Sequence, residues 1–313
     1  MDNRTTDLST MTENHKKHLA GLRLKLETAG CDAFLLHQEE TLRYYTGYTG
    51  DSAYLFLDET QTVFFTDGRY LTQAANEIPA DINIVPIKAF DDLTGYLKDQ
   101  HINHLGVDVE TLPTRKWLDL RPVLSGREPK SAGDYFKQLR ICKDEYELHL
   151  ISEAIAISET ALRQTLARLK PGIIERDLAL ELEYRMRRAG AEALAFPLIV
   201  ASGPRSALPH GLAADRILQA GDIVTIDFGA RYKGYHSDQT CTFFLGEPAP
   251  DIIKVYQTLY QAQSQGISKA AVGLTAAELD REVREILAAA GLGENFAHGT
   301  GPVSYTHLTL PTN

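Results

Sequence analysis

The stretch Gly221–Gly246, GDIVTIDFGARYKGYHSDQTCTFFLG, constrains this chain more than any other. Apolar and polar residues alternate on both sides of Arg231-Tyr232-Lys233-Gly234. That pattern reads as a β-hairpin closed by a four-residue loop ending in glycine. With Ala230 opposite Tyr235, Asp227 pairs directly with Asp238, and Thr225 pairs next with Thr240. A bulge would move this register by one residue. Carboxylates directly opposite on neighbouring strands stand about 5 Å apart at Cβ and repel. Apolar strand residues flank both, so solvation relieves the repulsion only in part. A divalent cation would relieve it, since hard and borderline metals accept carboxylate oxygens. A proton shared by the pair is an alternative, and so is a plain acidic face turned to solvent.

Two histidines adjoin this hairpin in sequence. His210 lies in ASGPRSALPHG, a glycine- and proline-rich loop just before it, and His298 lies in AHGTG, further on. Either alone reads as a surface or capping residue; in glycine-flanked loops around a carboxylate pair, both become candidates for proton transfer.

The remainder of the chain frames these residues. Its 313 residues suffice for two domains. Residues 1–18 are polar and mixed in charge and read as an N-terminal extension without a signal peptide, so a cytoplasmic location is expected. Residues 19–139 alternate short helices with short apolar strands, the pattern of a small α/β domain. Leu19, Leu22 and Leu26 mark a helix ended by Gly30. Strands are expected at Ala33–His37, Ala53–Asp58, Thr62–Thr66, Ile82–Ile87 and His104–Val109, and helices at Arg69–Glu77 and Phe90–Lys98.

Residues 140–301 read as an α+β domain. Asp144 with Glu147 has the form of a capping box. Leu148, Ile151, Ile155, Leu162, Leu166 and Leu169 continue one apolar helical face up to Pro171-Gly172. A second helix fits Glu175–Arg188 before Gly190, and a third starts at Thr275 with Glu278 as its capping partner. Strand-like runs lie at Leu198–Ser202, Asp222–Ala230 and Tyr235–Leu245.

Composition excludes some partners. A net charge of −10 argues against nucleic acid and against an anionic membrane surface. No apolar run approaches the roughly 20 residues of a membrane span. Cys31, Cys142 and Cys241 are odd in number and widely spaced, as expected of three reduced, buried thiols.

VASGPRSALPHG, TIDFGARYKGYHSDQT and HGTG, in this order and spacing, resemble the Xaa-Pro aminopeptidase/prolidase branch of the pita-bread metallopeptidases. RYYTGYTG (43–50) and FTDGRY (65–70) resemble the creatinase-type N-terminal domain of the same family, so the resemblance spans residues 19–301. It implies a creatinase-like α/β domain followed by an α+β pita-bread domain. It also implies two divalent ions (manganese, cobalt or zinc), bound by two aspartates, one histidine and two glutamates. Asp227 and Asp238 match the aspartate ligands. His210 and His298 match substrate-side histidines, and Thr240 matches a residue supporting the metal ligands. The implied reaction is hydrolysis of the peptide bond before proline by a metal-bridging hydroxide, in a homodimer acting on proline-containing peptides. Two relatives on the same fold provide alternatives: a creatinase-like C–N hydrolase, against which the paired aspartates speak, and a non-catalytic peptide- or protein-binding domain.

The chain departs from the family pattern in two places. His298-Gly299-Thr300-Gly301 is followed by Pro302 where the ligand histidine is expected, and PVSYTHLTLPTN (302–313) contains neither Asp nor Glu. We therefore expect a truncated pita-bread domain, a non-native tail at 302–313 and an inactive polypeptide. Cys241 also stands where relatives carry arginine.

Overall fold

The strands expected at Ala53–Asp58 and Thr62–Thr66 form with those bounds, in the interior of a six-stranded sheet in a computed structural model of the chain. The structure describes residues 3–300, with side chains from residue 11 onward. The tail 302–313, expected to be non-native, lies outside the described residues.

The chain divides into two units, residues 1–146 and 147–313. In the first, the strand order is Asn83–Pro86, Thr62–Thr66, Ala53–Asp58, Ala33–Leu36, Leu105–Val107, Lys130–Ser131. The inner pairs Ala33–Leu36 with Ala53–Asp58, and Ala53–Asp58 with Thr62–Thr66, are antiparallel; the outer pairs are parallel. Alternation along the strands supplies two cores. Phe34, Leu36, Leu55, Leu57 and Phe64 face one, whereas Ala33, Leu35, Phe56, Val63 and Phe65 face the other. Helices cover both faces, so the central strands are buried on both sides and read as unbroken apolar runs.

The helix anticipated from Leu19, Leu22 and Leu26 is longer than its apolar residues suggest. Helical structure runs Asn3–Arg23 and then Lys25–Ala29, closed by Gly30 at φ 59°. The segment read as an extension thus carries His15 and His18, both buried, with their Nδ1 atoms 3.0 and 3.2 Å from the Tyr44 carbonyl oxygen. Polar side chains that bury through hydrogen bonds leave no apolar periodicity to read. Helices Glu39–Thr46, Thr114–Leu120 and Gly133–Ile141 were likewise not anticipated.

The second unit is built on two small antiparallel sheets. Ile223–Phe228 lies between Ile199–Ser202 and Gln239–Phe244, and Ala230–Tyr232 lies between Tyr235–His236 and Ala193–Leu194. Helix Glu175–Arg188 has the bounds its pattern predicts. Its Leu178, Leu182 and Met186 join Val200, Val224, Ile226 and Phe228 in one core. Each such side chain contributes on the order of 1.5–3 kcal/mol relative to exposure.

Helix Glu145–Thr165 forms, and Leu162, Leu166 and Leu169 of the expected apolar face pack on the core, but the first turns bury other residues. It buries Glu147, Leu150, Ala154, Ile157, Ser158, Ala161, Leu162 and Thr165, while Leu148 is 53% exposed. The polar members of this stripe are buried through hydrogen bonds: the Tyr235 hydroxyl donates to Glu147, and Ser158 bonds Ser237 and Gln239. Helix Ala276–Ala289 starts with the predicted box, Thr275 Oγ1 accepting from the Glu278 amide. It packs in a hairpin against Pro250–Lys269, a helix the sequence reading omitted, through Ala262, Val283 and Leu287. Of the cysteines only Cys31 is buried; Cys241 is half-buried and Cys142 exposed, which corrects the expectation of three buried thiols. Among the described residues no helix is long and apolar enough to cross a membrane.

Candidate metal centre

The hairpin that carries the two aspartates turns more tightly than expected. Tyr232 pairs with Tyr235 and Arg231 with His236, so the loop is the two residues Lys233-Gly234. Both have positive φ, 46° and 87°, the form of turn whose twist matches the flanking strands. The register therefore moves by two residues from the four-residue loop of the sequence reading. Asp227 stands opposite Thr240, not Asp238, and Thr225 stands opposite Thr242.

Because the shift is even, Asp227 and Asp238 stay on one face. They are now diagonal neighbours, for which about 7–8 Å between backbones is usual. The ladder is interrupted beside Asp238. The Gly229 carbonyl accepts from the Ala195 amide, and the Ala230 amide is satisfied by the Ser237 hydroxyl instead of a backbone oxygen.

Alternation along Ile223–Phe228 separates the faces cleanly. Val224, Ile226 and Phe228 are buried in the core, while Thr225 and Asp227 are half-buried on the other side. Thr240 Oγ1 donates to Asp227 Oδ1 at 2.8 Å. This bond helps to fix the orientation of the carboxylate. Cys241, opposite Ile226, packs on the core side, away from the aspartates.

Electrostatics single out the pair. Burial holds the Asp227 carboxyl above the usual aspartate range, against opposing bonds from Thr240 and Phe228 and the nearby His210 imidazole. Burial also raises Asp238, and the Asp227 charge raises it further. Among the described residues neither aspartate has an arginine or lysine partner. Two like charges, partly desolvated and without a cation, form a site that a divalent ion would stabilise. The donors are hard oxygens, which suit divalent cations that accept carboxylates. The fit is partial: among the described residues no third histidine, cysteine or acidic donor joins the pair within ligand distance.

The sign of the pH effect follows from the raised values. A carboxyl whose folded pKa exceeds its unfolded value stabilises the fold below about the ordinary 3.8 and loses that contribution as pH rises through the folded pKa. The metal-free protein therefore carries a penalty at neutral pH. Asp238→Asn is expected to raise its melting temperature at pH 7 in chelator by about 2–4 °C, or up to ~1 kcal/mol since both groups retain solvent. The advantage should vanish near pH 4. A variant no more stable than the parent at pH 7 would contradict this electrostatic picture.

The structure brings His210 to this face. Leu212 bridges Ile199, Ile199 pairs with Asp227, and Asp227 pairs with Thr240, so one row crosses the sheet from the His210 loop to the hairpin. His210 is exposed at the loop tip. His298 is also exposed; its contacts are with Phe296, whose ring lies 4.8 Å away, the Gly299 carbonyl, and Arg284, which donates to its carbonyl oxygen. These place it beside helix Ala276–Ala289, and none of them joins it to the aspartates.

Sequence reasoning missed Glu175, read only as a helix start. It is fully buried and bonded to Ser202, Arg205 and Ala214 around the His210 loop. The one available signal is an acidic residue at a helix N-terminus, which is too common to single it out.

Comparison with known proteins shows the family and the fold. The profile of metallopeptidase family M24 matches residues 149–304, and that of the creatinase/prolidase N-terminal domain matches residues 18–142. The Xaa-Pro dipeptidase of Pyrococcus horikoshii is 33% identical over 86% of this chain and 76% of its own length. The structure of an Xaa-Pro dipeptidase from Bacillus anthracis superposes with a TM-score of 0.86 at 34% identity, covering 92% of this chain and 81% of that one. An X-Pro aminopeptidase from Thermotoga maritima gives 0.79 at 34%, covering 86% and 78%.

Proposed function

The chain belongs to metallopeptidase family M24, with a creatinase-type N-terminal domain before its pita-bread domain, and we propose that its reaction is hydrolysis of the peptide bond preceding proline. The observation that carries this reading is the Asp227–Asp238 pair, both raised in pKa by burial and Asp238 further by the Asp227 charge. Relatives named as Xaa-Pro dipeptidases and an X-Pro aminopeptidase support it.

In this reading Asp227 and Asp238 hold two divalent ions of manganese, cobalt or zinc. When bound, the ions supply Lewis acidity that polarises a carbonyl and acidifies water. The chain's own residues do the rest. Thr240 holds one oxygen of Asp227, so that the carboxylate meets its ligand in one orientation. His210, at a loop tip on the aspartate face, hydrogen-bonds the substrate and moves a proton toward the leaving nitrogen. His298 is the second substrate-side histidine. A homodimer, a cytoplasmic location and a proline-containing peptide substrate belong to the same reading.

The sequence as written supplies two of the five metal ligands that the resemblance implies, and residues 302–313 add no carboxylate. Metal affinity falls steeply with ligand number, so the 313-residue chain is inactive on this reading. The test is a chimera in which the residues after Gly301 are replaced by the corresponding segment of the Pyrococcus horikoshii relative. With manganese, the chimera should cleave Xaa-Pro dipeptides or Xaa-Pro-Yaa tripeptides, and the preferred length separates dipeptidase from aminopeptidase. The 313-residue chain should cleave neither. A folded, metal-loaded chimera without turnover would favour a peptide-binding role.

A further inference from the structure

The loop that bears His210 is tied down by one buried carboxylate. Glu175, the first residue of helix Glu175–Arg188, is wholly excluded from solvent. Its Oε1 accepts from the Ser202 amide at 2.8 Å and from the Ser202 hydroxyl at 2.7 Å. Its Oε2 accepts from Arg205 Nε and from the Ala214 amide, both at 3.1 Å. Ser202 is the last strand residue before the loop, and Ala214 lies just beyond its tip, so a single side chain grips the way in and the way out.

Arg205 completes the tie. With Nε on Glu175, its Nη2 reaches across the loop and donates to the Leu212 carbonyl oxygen at 2.6 Å. Leu212 is the residue that bridges Ile199, whose other neighbour is Asp227. The guanidinium thus connects the buried carboxylate to the backbone two residues beyond His210.

A second ion pair braces the loop entrance. Arg216 bonds both oxygens of Asp222 and also the Ser202 hydroxyl. This packing needs glycine at position 203, where a Cβ would fall 2.5 Å from Arg216 Nη2 and 2.6 Å from Asp222 Oδ1. Half-buried, charge-assisted bonds in a chain of this kind hold backbone geometry more firmly than neutral ones.

We propose that Glu175 and Arg205 are positioning residues, which set where His210 stands relative to the aspartate pair by tying both limbs of its loop to the start of one helix. The inference rests on His210 being a substrate-side residue. It adds that the placement of His210 is imposed by Glu175, outside the loop, acting through Arg205 and the Leu212 carbonyl. Neither residue touches substrate; both act through His210.

The experiment uses the 313-residue chain without metal, at one fixed pH, and follows the ring Cε1–Hε1 signal of His210 by NMR. In the parent, Asp227→Asn removes a neighbouring charge and should shift this signal. In Arg205→Ala the same substitution should leave the signal unmoved, because the loop tip no longer holds its place, while the Thr240 amide signal still reports an intact hairpin. Arg205→Lys keeps a cation beside Glu175 but lacks the second arm to Leu212. It should also show a weakened response, and it carries the test if Arg205→Ala does not fold. An undiminished response in Arg205→Ala would overturn the inference. So would an undiminished response in Arg205→Lys, by assigning the effect to charge compensation, and so would a parent signal indifferent to Asp227→Asn. Failure of the peptidase reading is separate: it appears as a chimera without turnover while this response persists.

Discussion

Replacing Asp227 by asparagine in the active chimera should lower kcat/KM for an Xaa-Pro substrate by at least about a thousandfold, the scale of losing one preorganised charge-stabilising group at a reacting centre. Asp227 lies on the middle strand of its sheet, so its backbone is held from both sides, by Ile199 and by Thr240. Asparagine preserves shape and the bond from Thr240 but removes the charge that binds a cation. The expected result is therefore lost activity in a protein that folds normally. Thr240→Val should be milder, about ten- to a hundredfold, because it frees a carboxylate oxygen without removing the charge. Steady-state kinetics at several manganese concentrations separate the two: excess metal should recover much of the Thr240→Val loss and little of the Asp227→Asn loss. Equal losses would mean that Thr240 does more than orient Asp227.

Glu175→Ala should destabilise the second unit by about 3–5 kcal/mol, since removing one partner of a buried pair leaves the other uncompensated. Here the amides of Ser202 and Ala214 would lose their acceptor, and Arg205 would keep only its bond to Leu212. Each buried unsatisfied amide costs about 1–3 kcal/mol on its own. Glu175→Gln should be less severe, because the amide retains one acceptor oxygen. Native-state hydrogen exchange gives a local readout, with the Val200 and Ile226 amides reporting on the sheet beside the helix. A loss below about 1 kcal/mol in Glu175→Ala would show that solvent reaches the network and that the buried carboxylate is not its anchor.

Much of the fold was legible in the residues because local pattern and burial agree. Helix Glu175–Arg188 follows from Leu178, Leu182 and Met186 at four-residue spacing with Gly190 beyond, and all three are fully buried. The Thr275–Glu278 box marks a helix start through a bond between residues three apart, and that bond is present. Ala53–Asp58 and Thr62–Thr66 are apolar on both faces and lie in the interior of the sheet, where such runs belong.

The misreadings have physical causes of their own. The hairpin register turned on whether Arg231-Tyr232-Lys233-Gly234 closes with four residues or two. Lysine at positive φ is not the usual residue for the tighter turn, so composition pointed elsewhere. The buried face of Glu145–Thr165 is carried by Glu147, Ala154, Ser158 and Ala161, whose burial depends on partners far along the chain. Leucine spacing placed Leu162 correctly but put Leu148 on the same buried face, whereas Leu148 stands in solvent. Glu175 shows the same limit, since its bonds to residues 27 and 39 positions away follow no period.

The candidate site divides along the same line. Asp227 and Thr240 lie on strands whose local pattern is strong and pair directly, and their row reaches the His210 loop through Ile199 and Leu212, with Asp238 just outside the ladder. His298 lies past two further helices, one of them unanticipated, and its contacts are with that helical hairpin. Its motif identified it as a candidate but did not give its place.

The central claim is that Asp227 and Asp238 together hold divalent metal, and manganese titration of the chimera followed by electron paramagnetic resonance tests it directly. Two manganese ions should bind per chain, with binding at least tenfold weaker in Asp227→Asn and in Asp238→Asn. Undiminished stoichiometry and affinity in both variants would place the metal elsewhere and contradict the account.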